Sequence, residues 1–268
     1  MTPDALSLAG KVAIVTGSGR ENGIGAAIAI ALSRNGAAVV INYVSESSEA
    51  RAAGVAKTIQ AAGGQAIVVK ASVSTPEGAN HLVQETLKRF KTDHIDILGK
   101  PMGVSLNNAG AGLVGSTLET TKEGIDLTFG VNVYGTIFLV QAVVPHMPRG
   151  GRIINISSVA SKLGLDFLPI YGASKAALDS LSYTWAKEFG RSRGITVNSV
   201  APGPVDTDIA RAADPAGAGG NLLVGMTRAE ERVGKTEDIA DVVLLLASEK
   251  SRWITGQFVS ASGGITGQ

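Results

Sequence analysis

Between Lys11 and Leu32 the chain passes from a β-branched apolar run, Val12-Ala13-Ile14-Val15, into Thr16-Gly17-Ser18-Gly19-Arg20-Glu21-Asn22-Gly23-Ile24-Gly25, and then into an Ala-rich stretch. A strand that breaks into glycines and opens directly into a helical pattern is the first half of a βαβ unit, and it commits its neighbours to a parallel sheet. It is also the context that a dinucleotide-binding turn requires. Glycines let the backbone approach a pyrophosphate, and the helix N-terminus offers free N–H groups and the positive end of its dipole. A glycine-rich turn alone is weak evidence, since many strand–helix loops contain two glycines.

The rest of the chain keeps that alternation. Val12–Thr16, Ala38–Tyr43, Gln65–Lys70, Gly151–Ser157, Ile195–Ala201 and Phe258–Ser260 read as strands. Helical patterns over 24–35, 48–62, 76–91, 171–190 and 236–247 separate them. Alternation of this kind predicts an α/β fold, a doubly wound parallel sheet of about seven strands with helices on both faces. No internal repeat or linker interrupts it, so residues 1–268 read as one domain, and that length suits a single buried core.

Composition narrows the partners. With a net charge of +1, nothing suggests a nucleic-acid or acidic-membrane partner. There is no cysteine, which excludes disulfides and thiolate chemistry; His81, His94 and His146 are scattered without ligand spacing, so no metal site is expected. Residues 1–10 lack the basic start and apolar core of a signal peptide, and no apolar run is expected to reach membrane-spanning length. The expected location is cytoplasmic.

The chemistry concentrates in Ser157-Ser158 and Tyr171-Gly172-Ala173-Ser174-Lys175. Tyr171 and Lys175, four residues apart, share one face of a helix. A free tyrosine is a poor acid at neutral pH; a cation one turn away favours the phenolate and is expected to lower its pKa. A hydroxyl such as Ser158 can hold a substrate oxygen beside it, an arrangement suited to proton transfer at a carbonyl or alcohol oxygen.

Together the motifs Thr16-Gly17…Gly23-Ile24-Gly25, Asn107-Asn108-Ala109-Gly110, Asn132, Ser158, Tyr171-x-x-x-Lys175 and Pro202-Gly203 resemble those of classical short-chain dehydrogenases/reductases over nearly the whole length. Within that family the chain looks most similar to fungal reductases of polyketide naphthols and anthraquinones, and to 3-oxoacyl-carrier-protein reductases. The resemblance implies that Tyr171 protonates a substrate carbonyl as a nicotinamide delivers hydride. Lys175 would lower the tyrosine pKa and bond the nicotinamide ribose, Ser158 would steady the developing alkoxide, and Asn132 would hold a relay water. The thirteen-residue spacing to Tyr171 favours Ser158 over its neighbour Ser157. Gly17, Ser18, Gly23, Ile24 and Gly25 would cradle the phosphates, and Ser72 and Val73 would meet the adenine. Asn108, Ala109 and Gly110 would border the adenosine ribose or form a structural turn. Pro202, Gly203, Val205 and Thr207 would cover the nicotinamide.

The end of the second strand bears on cofactor choice. An enzyme using NAD usually places a carboxylate there, but this chain has Asn42-Tyr43-Val44-Ser45 and no acid before Glu46. Asn42, Tyr43 and Ser45 can donate hydrogen bonds to a 2′-phosphate, and Arg20 can supply its cation; otherwise Arg20 is a solvated loop residue. NADPH/NADP+ is therefore expected over NADH.

Two departures from the family pattern stand out. Five residues rather than three separate Gly17 from Gly23, and the added Glu21 must point outward or pair with Arg20. Between Asp96-Ile97-Leu98 and Leu106-Asn107-Asn108 lie seven surplus residues, Gly99 to Ser105. Because proline and glycine suit a central strand poorly, the expected strand is Val104–Asn107, with Gly99–Gly103 bulging at its start; a non-native segment is the alternative.

Residues 208–231 read as a substrate lid, with a small, flexible Ala212–Gly220 stretch and apolar Leu222, Leu223, Val224 and Met226. With Leu163, Phe167 and Leu168 they suggest an apolar or aromatic ketone, ordinary packing being the alternative. The helix Ser174–Phe189 shows Ala177, Leu178, Leu181 and Trp185 on more than one face, so one stripe is expected to meet a partner. The family resemblance implies a homotetramer first and a dimer second. A recruited non-redox step such as dehydration, or a non-catalytic NADP-binding scaffold, remains open.

Overall fold

The computed structural model describes residues 6–100 and 114–267. Seven strands form one parallel sheet: β1 (Val12–Val15), β2 (Ala38–Tyr43), β3 (Gln65–Lys70), β4 (Ile97–Lys100), β5 (Arg152–Ile156), β6 (Thr196–Pro202) and β7 (Phe258–Ala261). Their order is β3-β2-β1-β4-β5-β6-β7. Every residue of β1, β5 and β6 is buried, as expected where helices cover both faces of a parallel sheet.

Alternate residues of β1 build the two cores. Ala13 and Val15 face α1 (Ile24–Arg34), α2 (Glu49–Ala61) and α10 (Thr236–Ala247). Val12 and Ile14 face α3 (Pro76–Phe90), α5 (Gly135–Val143) and α7 (Pro169–Arg193). Full burial of a valine or isoleucine side chain contributes about 1.5–3 kcal/mol. Asp96 anchors the amino end of the sheet: its carboxylate accepts from the Val12 amide at 2.9 Å and the Lys11 ammonium at 3.0 Å. The chain winds from β1 to β3 on one side, then restarts at β4 on the other side of β1. That reversal opens a crevice at the carboxyl ends of β1 and β4, the usual ligand position in such sheets.

Several expectations need correction. The strand after Asp96 is Ile97–Lys100, in register with Ala13–Val15 and with Arg152–Asn155. Gly99 is therefore inside the strand and not in a bulge before it. Ile97 and Leu98, both essentially inaccessible, hold this register by burial, and the Gly99 carbonyl accepts from the Thr16 amide at 3.2 Å. Gly99 and Lys100 of the surplus segment thus belong to the strand itself; the expected strand Val104–Asn107 lies outside the described residues.

Helix α4 (Lys122–Phe129), a π-helical turn at Gly130–Tyr134 and α5 continue through a short 3₁₀ turn to His146. Its 25 residues, with a mean hydropathy of 1.7 in the most apolar window, are long and apolar enough to cross a membrane, contrary to expectation. Half of that window is buried here, because α5 packs against α3 and contributes Leu139, Val140 and Val143 to the core. On α7, Leu178 and Trp185 are core residues, so they cannot form the stripe expected to meet a partner. The Ala212–Gly220 stretch is largely helical, shared between α8 (Asp208–Ala213) and α9 (Ala218–Val224). Asp214 organises it by accepting from the Ala218 amide at 3.0 Å and the Gly220 amide at 2.9 Å.

Candidate active site

The glycine-rich turn uses its glycines for distinct reasons. Gly17 has a φ of +61°, which an L side chain rarely adopts. A Cβ on Gly25 would lie 2.7 Å from the Gly17 carbonyl oxygen, so the first turn of α1 can press onto the loop only without one. Ser18 does not project outward: it is buried, donates to the Val15 carbonyl at 2.6 Å and accepts from the Asn42 amide at 3.1 Å.

Asn42 is likewise turned inward. Its carboxamide donates to the carbonyls of Tyr43 (3.3 Å), Val69 (3.3 Å) and Ala71 (3.0 Å) and accepts from the Gly17 amide at 3.4 Å. This side chain ties β2, β3 and the turn together, so its expected bond to a 2′-phosphate is replaced by a structural role. Tyr43 is 8% exposed. Ser45 shares hydrogen bonds with Ser47 and Ser48 at 3.0 and 2.8 Å. Exposed Ser72 pairs with Ser74 at 2.8 Å, and Val73 is buried. Arg20 is half-buried on the crevice wall, its guanidinium without a hydrogen bond or ion pair among the described residues. Glu21 points outward, as one of the two expected alternatives had it, and faces Arg51 of α2 at 3.6 Å rather than Arg20. Asn108, Ala109 and Gly110 lie outside the described residues.

The opposite wall comes from β5 and α7. The chain leaves β5 at Ile156 and turns through Ser157 and Ser158 into α6 (Ala160–Leu163). Ser157 is buried and its hydroxyl donates to the Lys175 carbonyl at 3.3 Å. Ser158 accepts from the Ala160 amide at 3.1 Å, lines the cavity together with Tyr171, and favours the ionised form of that phenol. Lys175 is 1% exposed, donates to the Ile156 carbonyl at 3.0 Å, and sits 5.5 Å from the Tyr171 ring centroid.

Burial raises the Tyr171 pKa above its ordinary 10, with the Ser158 bond opposing. The chain's own groups therefore do not produce the expected lowering by Lys175. Its amine is directed to the Ile156 carbonyl, and the same burial pulls its pKa down to about 8, against the attraction of Asp179. Asn132 lies in the π-helical turn, a distortion frequent at functional sites. It donates to the Ser174 hydroxyl at 2.9 Å, and Ser174 donates to the Tyr171 carbonyl at 2.7 Å. The Asn132 Oδ1 is buried without a partner, a polar atom placed to receive a water.

These walls enclose a cavity of about 300 Å³. Arg20 and the glycines line one side, Ser158, Tyr171 and Leu168 another, and Pro202, Gly203, Val205 and Thr207 a third. Thr207 caps α8, its hydroxyl accepting from the Ala210 amide at 3.1 Å. Within residues 208–231 the apolar lining comes from Ile209, Ala210 and Ala213 of α8, whereas Leu222 and Met226 of the expected set are 56% and 40% exposed. Helix α8 follows the β6 end directly and so faces the cavity; α9 lies beyond it in the chain. The spacing Ile209-Ala210…Ala213 was the available signal for that face.

A second feature escaped sequence reasoning. Asp208, the first residue of α8, accepts from Asn22 at 3.3 Å, from Arg211 at 3.3 Å and from Arg51. The lengthened glycine-rich turn is therefore tied to the start of α8.

A family profile described as Enoyl-(Acyl carrier protein) reductase matches residues 17–266. Short-chain dehydrogenase/reductase FrzI of Cladobotryum sp is 43% identical over 263 residues, covering 97% of both chains. A hydroxynaphthalene reductase-like protein of Metarhizium acridum is 36% identical over 269 residues, covering 96% of both. The solved structure of angucycline C-6 ketoreductase LanV with bound NADP superposes with a TM-score of 0.84 at 39% identity, covering 97% of this chain and 96% of that one. The chain is an oxidoreductase of the short-chain dehydrogenase/reductase family.

Proposed function

We propose that this protein is an NADPH-dependent carbonyl reductase that converts an apolar or aromatic, polyketide-type ketone to a secondary alcohol. The observation that carries this reading is that Ser158 and Tyr171, with Lys175 buried one helical turn behind the phenol, line one cavity with a glycine-rich turn bearing an uncompensated Arg20. The glycine cradle fits a pyrophosphate, since the close approach at Gly17 and Gly25 leaves backbone in place of side chains. Arg20 fits a 2′-phosphate, which needs a cation that no internal carboxylate has claimed.

A bound nicotinamide supplies hydride. The chain's part is to hold the ketone oxygen between the hydroxyls of Ser158 and Tyr171, to donate the Tyr171 proton as charge builds there, and to steady that charge. Lys175 provides the nearby positive charge, and the free Oδ1 of Asn132 holds the water through which the proton is replaced. The lining from Leu168, Ile209, Ala210 and Ala213 favours an apolar ring. Two relatives are named a hydroxynaphthalene reductase-like protein and an angucycline C-6 ketoreductase. Those names support a polyketide-type ketone ahead of a 3-oxoacyl thioester.

Association into a homotetramer, with a dimer as the second choice, is part of the proposal. Exposed Tyr183 (72%) and Trp253 (95%) support it; so does the exposure of Ile125, Leu127 and Tyr134. A cytoplasmic setting is also proposed, consistent with a chain without cysteine. NADPH and NADH titration of the purified protein, then NADPH oxidation against cyclic and acyl ketones with Tyr171→Phe alongside, tests the reading. Turnover lost in the variant while NADPH binding persists is the expected result. Tight binding without turnover on any ketone would replace it with a non-redox role, and failure to bind either cofactor would refute it.

A further inference from the structure

Helix α7 carries a third ionisable group in the same row as Tyr171 and Lys175. Asp179 lies one turn beyond Lys175, at the spacing that puts side chains on one face. Its side chain is 8% exposed, and both carboxylate oxygens are shielded from water without a hydrogen bond. The nearest cation from another element is Lys162 of α6, whose Nζ lies 4.0 Å from Oδ2 and 5.2 Å from the centroid of the Phe258 ring. A buried carboxylate without hydrogen bonds is costly unless a charge offsets it. Lys175 has the converse problem, being buried with its amine bonded to a single neutral carbonyl. Opposite charges one turn apart relieve each other's loss of hydration.

We propose that Asp179 is a positioning residue that keeps the Lys175 amine charged, with Lys162 a half-exposed cation competing for the same carboxylate. Few other groups bear on this pair among the described residues. Tyr171 faces Lys175 from the same helix. The π-helical turn brings Tyr134, which is exposed, and β6 brings no ionisable side chain. On β5, Arg152 stands at the opposite end of the strand and is paired with Glu249 at 3.1 Å. On α4, Lys122, Glu123 and Asp126 are exposed, and the first and last pair with each other. Asp179 acts on the Lys175 titration in the direction the proposal requires, opposing the effect of burial.

The inference rests on the proposed role of Lys175 for its consequence in turnover, but the pairing has a test of its own. Unfolding free energies of the cofactor-free wild type and Lys175→Met, compared from pH 7 to 10.5, report the pH at which the folded amine loses its proton. Repeating the pair in an Asp179→Asn background is expected to move that pH down by about one unit. Asp179→Glu should restore most of it, and Lys162→Met should move it up, since a competing cation is removed. The alkaline limb of kcat/KM should follow each shift. An unmoved titration in both the Asp179→Asn and Lys162→Met backgrounds overturns the proposal, and if Asp179→Asn does not fold, Lys162→Met decides. Movement of the stability titration without movement of the alkaline limb upholds the pairing and refutes instead the role of Lys175 in turnover.

Discussion

Replacing Lys175 with methionine should stabilise the cofactor-free protein near neutral pH while abolishing reduction. The amine is 1% exposed and its pKa falls from an ordinary 10.5 to about 8, chiefly through loss of hydration. At about 1.36 kcal/mol per tenfold change in proton affinity, that fall corresponds to roughly 3 kcal/mol of native-state cost when both states are protonated. Methionine fills similar space without charge but loses the bond to the Ile156 carbonyl, an offset of about 1–2 kcal/mol. The variant should therefore gain about 1–2 kcal/mol at pH 7, a rise in Tm of about 2–6 °C.

The sign of the pH dependence follows from linkage. Between pH 8 and 10.5 the folded wild type holds fewer protons than its unfolded chain, so its stability relative to the variant rises with pH. By pH 10.5 the advantage of methionine should have vanished or reversed. Denaturant unfolding of both proteins at several pH values measures the difference directly. A stability gap that stays flat from pH 7 to 10.5 would refute the picture of a charged lysine held at a hydration cost.

Other consequences are equally open to measurement. Arg20→Ala should weaken NADPH binding at least tenfold and leave NADH nearly unchanged, because the cation would meet the 2′-phosphate alone; parallel fluorescence titrations compare them. Asn42→Leu should cost about 2–4 kcal/mol in denaturant unfolding by orphaning buried carbonyls, with no change in the NADPH/NADH preference of the folded fraction. Gly25→Ala should destabilise by about 1–3 kcal/mol and weaken both cofactors, since its Cβ would force α1 away from the Gly17 carbonyl. Asp208→Asn should raise KM for the ketone several-fold with a loss of about 1 kcal/mol in stability, as the lid loses its charged tie to Arg51. In the wild type the depressed pKa of Asp208, held down by Arg51, means this tie is lost as pH falls below the ordinary carboxylate range.

What the sequence determined by itself was local or periodic. The apolar run, glycines and Ala-rich stretch from Lys11 to Leu32 specify strand, turn and helix, and the rest of the alternation specifies a parallel sheet. The four-residue spacing of Tyr171 and Lys175 places them on one helix face before any tertiary contact is known. Tertiary structure decided the questions whose partners are distant in sequence. Asn42 faces inward because carbonyls at positions 69 and 71 claim its amide. Glu21 turns toward Arg51, and Asp208 at the start of α8 is tied to Asn22, 186 positions away. Strand β4 begins at Ile97 because Ile97 and Leu98 gain full burial between β1 and β5, which outweighs the poor strand preference of Gly99. The same burial sets the pKa directions of Tyr171 and Lys175. A motif shows which groups are close together, but how far each is stripped of water depends on the whole fold packed around it.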